Sequence, residues 1–303
     1  MRQEKSHYKF ESLTDFHEVF GLQKPLHPMI SLINFEHLQK LPLDFPKTIV
    51  LNFYKISYKS KFCGQVKYGQ NYFDFGEGGL LFTAPNQTFE SPTSNESTGS
   101  MLLIHPDFFL TYPLSKKIKG YGFFSYNVNE ALHLSEKEKK TILSIFKIID
   151  DELNNRIDDL SQDVMVAQIE LLLSYGNRFY KRQFITRKLV NTTLLTRFEE
   201  ILDIHFSNQY STTKGIPKVQ LIADELNVSP SYLSDMLRSL TGQNTQQHIQ
   251  NKLLEKSKEI LSTTNLTVSE IAYLLGFEHP QSFSRLFKNK IGMSPIEFRL
   301  SFN

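Results

Sequence analysis

Hydrophobic positions along the chain follow two different periods. Up to about residue 130 the apolar and aromatic residues come in short, β-branched stretches: HPMISLINF (27–35), TIVLNFYKISY (48–58), QVKYGQNYFDF (65–75) and GSMLLIHPDFF (99–109). Turn residues separate them: Gly76, Gly78 and Gly79 interrupt one pair, Pro85-Asn86 the next, and Pro92 to Gly99 forms a polar loop. Short strands with this punctuation predict a sandwich or a small barrel such as a jelly roll.

From residue 135 the period lengthens. Ser135 and Glu138 have capping-box spacing, and Ile142, Ile145, Phe146, Ile149 and Leu153 follow at helical intervals. A second helix is predicted to start near Ser161, with Val164, Ala167, Leu171, Leu172 and Tyr175 on a broad apolar face. Such faces must be buried, by covering the β-rich part, by forming a dimer, or by both. The segment 181–195 (KRQFITRKLVNTTLL) has no clear period at its start and marks a boundary between domains.

The remaining third of the chain contains a repeat. Val219, Ile222, Ala223 and Leu226 form one helical face, and Val268, Ile271, Ala272 and Leu275 form the same face 49 residues later. Asn227 then stands where Gly276 stands, the two residue types best suited to a left-handed helix stop. Val228 or Phe277 follows, and Pro230 or Pro280 opens a new helix, where a missing N–H costs nothing. Leu233, Met236 and Leu237 match Phe283, Leu286 and Phe287 at an offset of 50, so the second turn holds one extra residue. Thr267 with Glu270 has capping-box spacing, and Ser229 can cap the helix beginning at Pro230.

A helix, a tight turn and a second helix make a helix-turn-helix, whose second helix enters a DNA major groove. Ile249, Leu253, Ser257, Ile260 and Leu261 predict a joining helix of about fifteen residues, ~22 Å long at 1.5 Å per residue. With the widths of the units themselves, that spaces two reading helices about one DNA turn apart. Ser231, Ser234 and Asp235 lie outside the first core stripe, and Gln281, Ser284 and Arg285 outside the second. Arg suits guanine, Gln suits adenine, and Ser contacts either base.

Charge adds nothing to this reading. The net charge is +2, and residues 191–303 hold 11 Lys and Arg against 11 Asp and Glu, so DNA binding rests on motif geometry and local placement. No apolar run approaches the ~18 residues of a membrane span, and the N-terminus lacks a signal-peptide core. The single cysteine, Cys63, forms neither an intrachain disulfide nor a zinc site by itself, which fits a cytoplasmic protein.

The stretches IADELNVSPSYLSDMLRSLTGQNTQQHI and LTVSEIAYLLGFEHPQSFSRLFKNKIGMSPIEFR resemble the DNA-binding domain of AraC/XylS-type transcriptional regulators over residues 197–303. The resemblance rests above all on Gly276-Phe277, Phe283, Arg285, Phe287-Lys288, Gly292 and Ser294-Pro295. It implies an α+β multidomain protein: a cupin-like β effector domain (1–130), a helical dimerisation segment (131–182), a linker (183–196) and an all-α double helix-turn-helix domain (197–303). It further implies a homodimer on double-stranded promoter DNA, a small-molecule effector, contact with RNA polymerase, no cofactor, and no membrane. Implied DNA contacts are Ser231, Ser234 and Asp235 in the first unit and Pro280, Gln281, Ser284 and Arg285 in the second. Asp235 departs from the pattern, because many relatives carry a basic residue there; a carboxylate repels phosphate but accepts a hydrogen bond from cytosine. Lys252 and Ser257 are milder departures, at positions often held by Arg and Ala.

A cupin-type metal-dependent enzyme with an accessory DNA-binding domain is the alternative. It lacks support in the nine scattered histidines, which form no His-x-His or His-x-x-x-His pair. A methyl-accepting repair protein needs several cysteines and is excluded. The Gly76–Gly79 run is a hairpin turn in preference to a phosphate loop, and Phe53, Tyr54, Tyr72 and Phe75 are expected in the core.

Overall fold

A computed structural model of the chain describes residues 8–39, 45–46, 48–60, 66–68, 71–73, 78–90, 98–127, 130–155, 158, 160–206 and 215–301. Two units emerge, residues 1–183 and 184–303.

In the first unit, β2 (Ile30–Asn34), β4 (Tyr54–Lys59), β7 (Gly79–Thr83), β9 (Gly99–Ile104) and β10 (Leu132–His133) form an antiparallel sheet in the order β10-β7-β4-β9-β2. A second sheet joins β1 (Tyr8–Phe10), β3 (Thr48–Leu51) and β8 (Thr88–Glu90), with β1 parallel to β3. β5 (Val66–Tyr68) and β6 (Asn71–Phe73) pair as a hairpin. Alternation along the strands divides the five-stranded sheet into two buried faces. On one, Ile33, Met101 and Leu103 share a core with Phe10, Ile49 and Leu51 of the smaller sheet. On the other, Phe82 packs against Phe123, Phe124 and Tyr180.

That second face receives helices. α3 (Glu136–Asn154) opens with the expected capping box of Ser135 and Glu138 and buries Ile142, Ile145, Phe146, Ile149 and Leu153. α4 runs from Ser161 to Thr186. Its Gly176 lies so near Phe82 that a Cβ there would stand 2.9 Å from the ring, which lets the helix sit close on the sheet.

Three parts of the first unit differ from the sequence reading. Leu13–Val19 is a helix, α1, capped by Ser12, because Leu13, Phe16 and Phe20 bury one face in the core beneath β1. Pro106–Phe109 is a 3-10 turn, since the proline ends the strand pairing. A short helix, α2 (Leu114–Lys117), follows it in a region read as strands. Phe53 and Tyr54 are buried as expected. Cys63, Phe75, Gly76 and Glu77 lie outside the described residues, as does the Tyr72 side chain.

The second unit is all helical. α5 (Lys188–Phe206) buries Leu194, Phe198, Leu202 and Phe206 at intervals of four. The segment 183–196, read as a linker, is helical here: it holds the end of α4 and the first half of α5, with a break at Arg187. α6 (Val219–Glu225), α7 (Pro230–Thr241), α8 (Thr245–Thr263), α9 (Val268–Leu274), α10 (Pro280–Ile291) and α11 (Pro295–Leu300) complete the unit. At 19 residues α8 is longer than predicted, about 28 Å.

Candidate nucleic-acid interface

Both helix pairs are built by one device. At the end of α6 the Val228 N–H donates to the Ala223 carbonyl (3.0 Å) and the Asn227 N–H to Asp224 (3.0 Å). At the end of α9 the Phe277 N–H donates to Ala272 (2.9 Å) and the Gly276 N–H to Tyr273 (3.0 Å). This crossed pair of bonds is the Schellman stop, which needs a left-handed residue just past the helix. Asn227 has φ 57° and Gly276 φ 87°. Ala223 and Ala272 are fully buried, so no larger side chain holds the two helices of each pair apart.

The second helices then start alike and end alike. α7 and α10 have 12 residues each, open on Pro230 and Pro280, and stop at Gly242 (φ 78°) and Gly292 (φ 87°). Ser229 caps α7 by accepting from the Tyr232 N–H, as predicted, whereas His279 gives α10 no side-chain cap. The inserted residue falls in the connection, which runs over 226–229 in the first pair and 275–279 in the second. Phe277 wedges the second turn against Phe283, with ring centroids 5.5 Å apart, and Phe283 leads on to Phe287 and Phe298. Gly276 meets a further demand: a Cβ there would lie 2.7 Å from the Gly215 carbonyl carbon.

The seven sequence-assigned contacts occupy these two helices unequally. On α10, Gln281 and Arg285 are exposed, Ser284 and Pro280 half-buried, and all stand in the first turns. On α7, Ser231 is half-buried near the N-terminus. Ser234 differs from the expected outward residue, because its hydroxyl lies 2.8 Å from that of Thr245, a fully buried residue at the start of α8. Asp235 is paired: the Arg238 guanidinium reaches its carboxylate at 2.8 Å. Arg238, 54% exposed and absent from the sequence reading, adds a cation to this helix. Its i, i+3 spacing from Asp235 was the available signal. Lys252 of α8 pairs with Asp203 of α5, and Ser257 turns its hydroxyl to the Leu253 carbonyl. These two departures from the family pattern therefore serve packing inside the unit.

The geometry defines a class first: a domain with two tandem helix-turn-helix pairs. A family model described as a helix-turn-helix domain matches residues 222–301. A transcriptional regulator of Bacillus subtilis strain 168, YfiF, printed as uncharacterized, is 29% identical over 143 residues, 47% of this chain and 42% of that protein. The Msm operon regulatory protein of Streptococcus mutans serotype c is 35% identical over 82 residues, 27% of this chain and 30% of that one. Among solved structures, the C-terminal domain of AraT, a response regulator from Geobacillus stearothermophilus, is 30% identical, with a TM-score of 0.32, and covers 36% of this chain and 84% of that chain. The chain spans less than half the length of the curated relatives it matches. Through this C-terminal domain the chain belongs to the AraC/XylS type of helix-turn-helix regulators.

Proposed function

We propose that the protein is a sequence-specific DNA-binding transcriptional regulator that presents α7 and α10 to successive major grooves of promoter DNA. The observation that carries this reading is the repetition of one Schellman-stopped helix pair, bond for bond, in a single unit. Pro280, Gln281, Ser284 and Arg285 form the stronger reading surface. Ser231 and Asp235 read from α7, while Ser234 positions that helix against α8. Selection of bound sequences from random DNA by the full chain tests the proposal: a compact motif with two parts one helical turn apart supports it, and recovery of random sequence refutes it.

The N-terminal unit fits a cupin-like effector domain, since its two sheets face one another around a shared core. Its α4 supports a homodimer. Leu160, just before the helix, and Val164, Ala167, Leu171, Ser174 and Arg178 are exposed at spacings of 4, 3, 4, 3 and 4. That is the seam of a two-stranded coiled coil. Asp163 and Glu170 lie along its first half, and Arg178 and Lys181 along its second, which favours an antiparallel partner. For the enzyme alternative, no cluster of three His, Cys, Asp or Glu suited to a metal occurs among the described residues. No helix among them is long and apolar enough to cross a membrane.

A further inference from the structure

The core-facing side of the five-stranded sheet holds a polar group that packing does not explain. β4 is its central strand, and alternation places Lys55, Ser57 and Lys59 on the same face as Met101 and Leu103. Those two residues belong to the core shared with the smaller sheet. Cations and an unpaired hydroxyl are costly there. Ser57 is 1% exposed, and its hydroxyl finds no hydrogen-bond partner among the described residues.

The neighbouring strands leave room beside these side chains. Lys55 lies between Thr83 and Leu103, Ser57 between Leu81 and Met101, and Lys59 between Gly79 and Gly99. The two glycines put no side chain next to Lys59, while the apolar residues form a floor further along. Lys55 is deep enough that loss of solvent, followed by repulsion from Lys59, lowers its pKa to about 8. Its side chain nevertheless stays only half-buried. A group that is enclosed and still accessible borders internal space. Lys59 is steered the same way, with its ammonium 5.7 Å from the centre of the Phe35 ring.

We infer that Lys55, Ser57 and Lys59 form a receptor for the carboxylate or phosphate group of a small organic acid. An oxyanion between the two ammonium groups offsets their mutual repulsion and accepts the Ser57 O–H. Leu81, Met101 and Leu103 lie against the hydrocarbon part of the ligand. This assignment rests on reading the N-terminal unit as the effector-binding half, and it gives that effector a charge and a polarity.

The test uses the full chain, with hexanoate as the probe and hexanol as its neutral counterpart, at matched ionic strength. Thermal melting is expected to rise with hexanoate and not with hexanol. Lys55→Met and Lys59→Met are expected to weaken the apparent hexanoate affinity at least about tenfold, the scale of a lost charged hydrogen bond. Ser57→Ala loses less, and the exposed control Lys119→Met loses nothing. Without probe, Lys55→Met and Lys59→Met are expected to melt no lower than the parent. The inference is overturned by no shift in the parent, by equal shifts in parent and variants, or by variants that melt far below the parent without probe. A second measurement separates it from regulation. If hexanoate binds and the affinity for selected DNA does not change, the receptor stands and the ligand-responsive reading falls.

Discussion

Arg238 and Asp235 show how a single ion pair alters a reading helix. The carboxylate that looked repulsive to DNA has its charge offset by a guanidinium one turn away. Asp235→Ala therefore releases Arg238 toward phosphate. DNA affinity is expected to rise at low salt, with the log–log salt slope steeper by about 0.9 for one added phosphate contact. Arg285 is the complementary case, exposed on α10. Arg285→Ala is expected to cost about 1–3 kcal/mol of specific binding and to relax preference at one base position, as measured by repeating the selection from random DNA. Gly276 serves the scaffold instead. Gly276→Ala combines a left-handed φ with a backbone clash against Gly215 and is expected to destabilise the C-terminal unit by roughly 1–3 kcal/mol in denaturant unfolding. Lys55 adds a pH signature. Its folded pKa is depressed to about 8 from 10.5, so the unfolded chain binds more protons between those values. Stability from this group is lowest below pH 8 and recovers as pH rises toward 10.5, and Lys55→Met is expected to remove that rise from the melting profile.

At the scale of elements, the readable parts were those whose rules are local. The stops at Asn227 and Gly276, the capping boxes at Ser135 and Thr267, and the prolines opening α7 and α10 each depend on contacts within five residues. Thr267→Ala removes one such cap and is expected to cost about 1 kcal/mol of C-terminal stability. Helices α1 and α5 carried the same kind of signal, in Ser12 with Asp15 and in Leu194, Phe198, Leu202 and Phe206. Neighbouring segments hid it: α1 lies among strands, and α5 begins in a basic stretch without periodicity. The α4 seam is an element-scale feature as well. Leu171→Asp is expected to halve the mass of the full chain at micromolar concentration, as measured by light scattering, if α4 forms the dimer. The same substitution should leave folding intact, since Leu171 is exposed.

Across the whole molecule, legibility divides between the units. The C-terminal domain repeats itself, so its sequence carries an internal comparison that fixed the register of both pairs, including the extra residue of the second turn. The N-terminal sheets are held by strands distant in the chain, with β1 parallel to β3 and β4 between β7 and β9. No local pattern states those pairings, and the polar row on β4 became visible only once its neighbours were known. Of the candidate site, the positions on α10 were legible from spacing, whereas the turning of Ser234 toward Thr245 depends on how α8 crosses α7.

The longer connection before α10 has a consequence for the target. Two heads that differ by one residue in their joints and by most residues on their outer faces are not interchangeable, and they follow one another along a single chain. A stretch of promoter read by them would have a head and a tail. Inverting that stretch would present each groove to the wrong helix, so one protein molecule would sense the direction of a gene as well as the spelling of its control region.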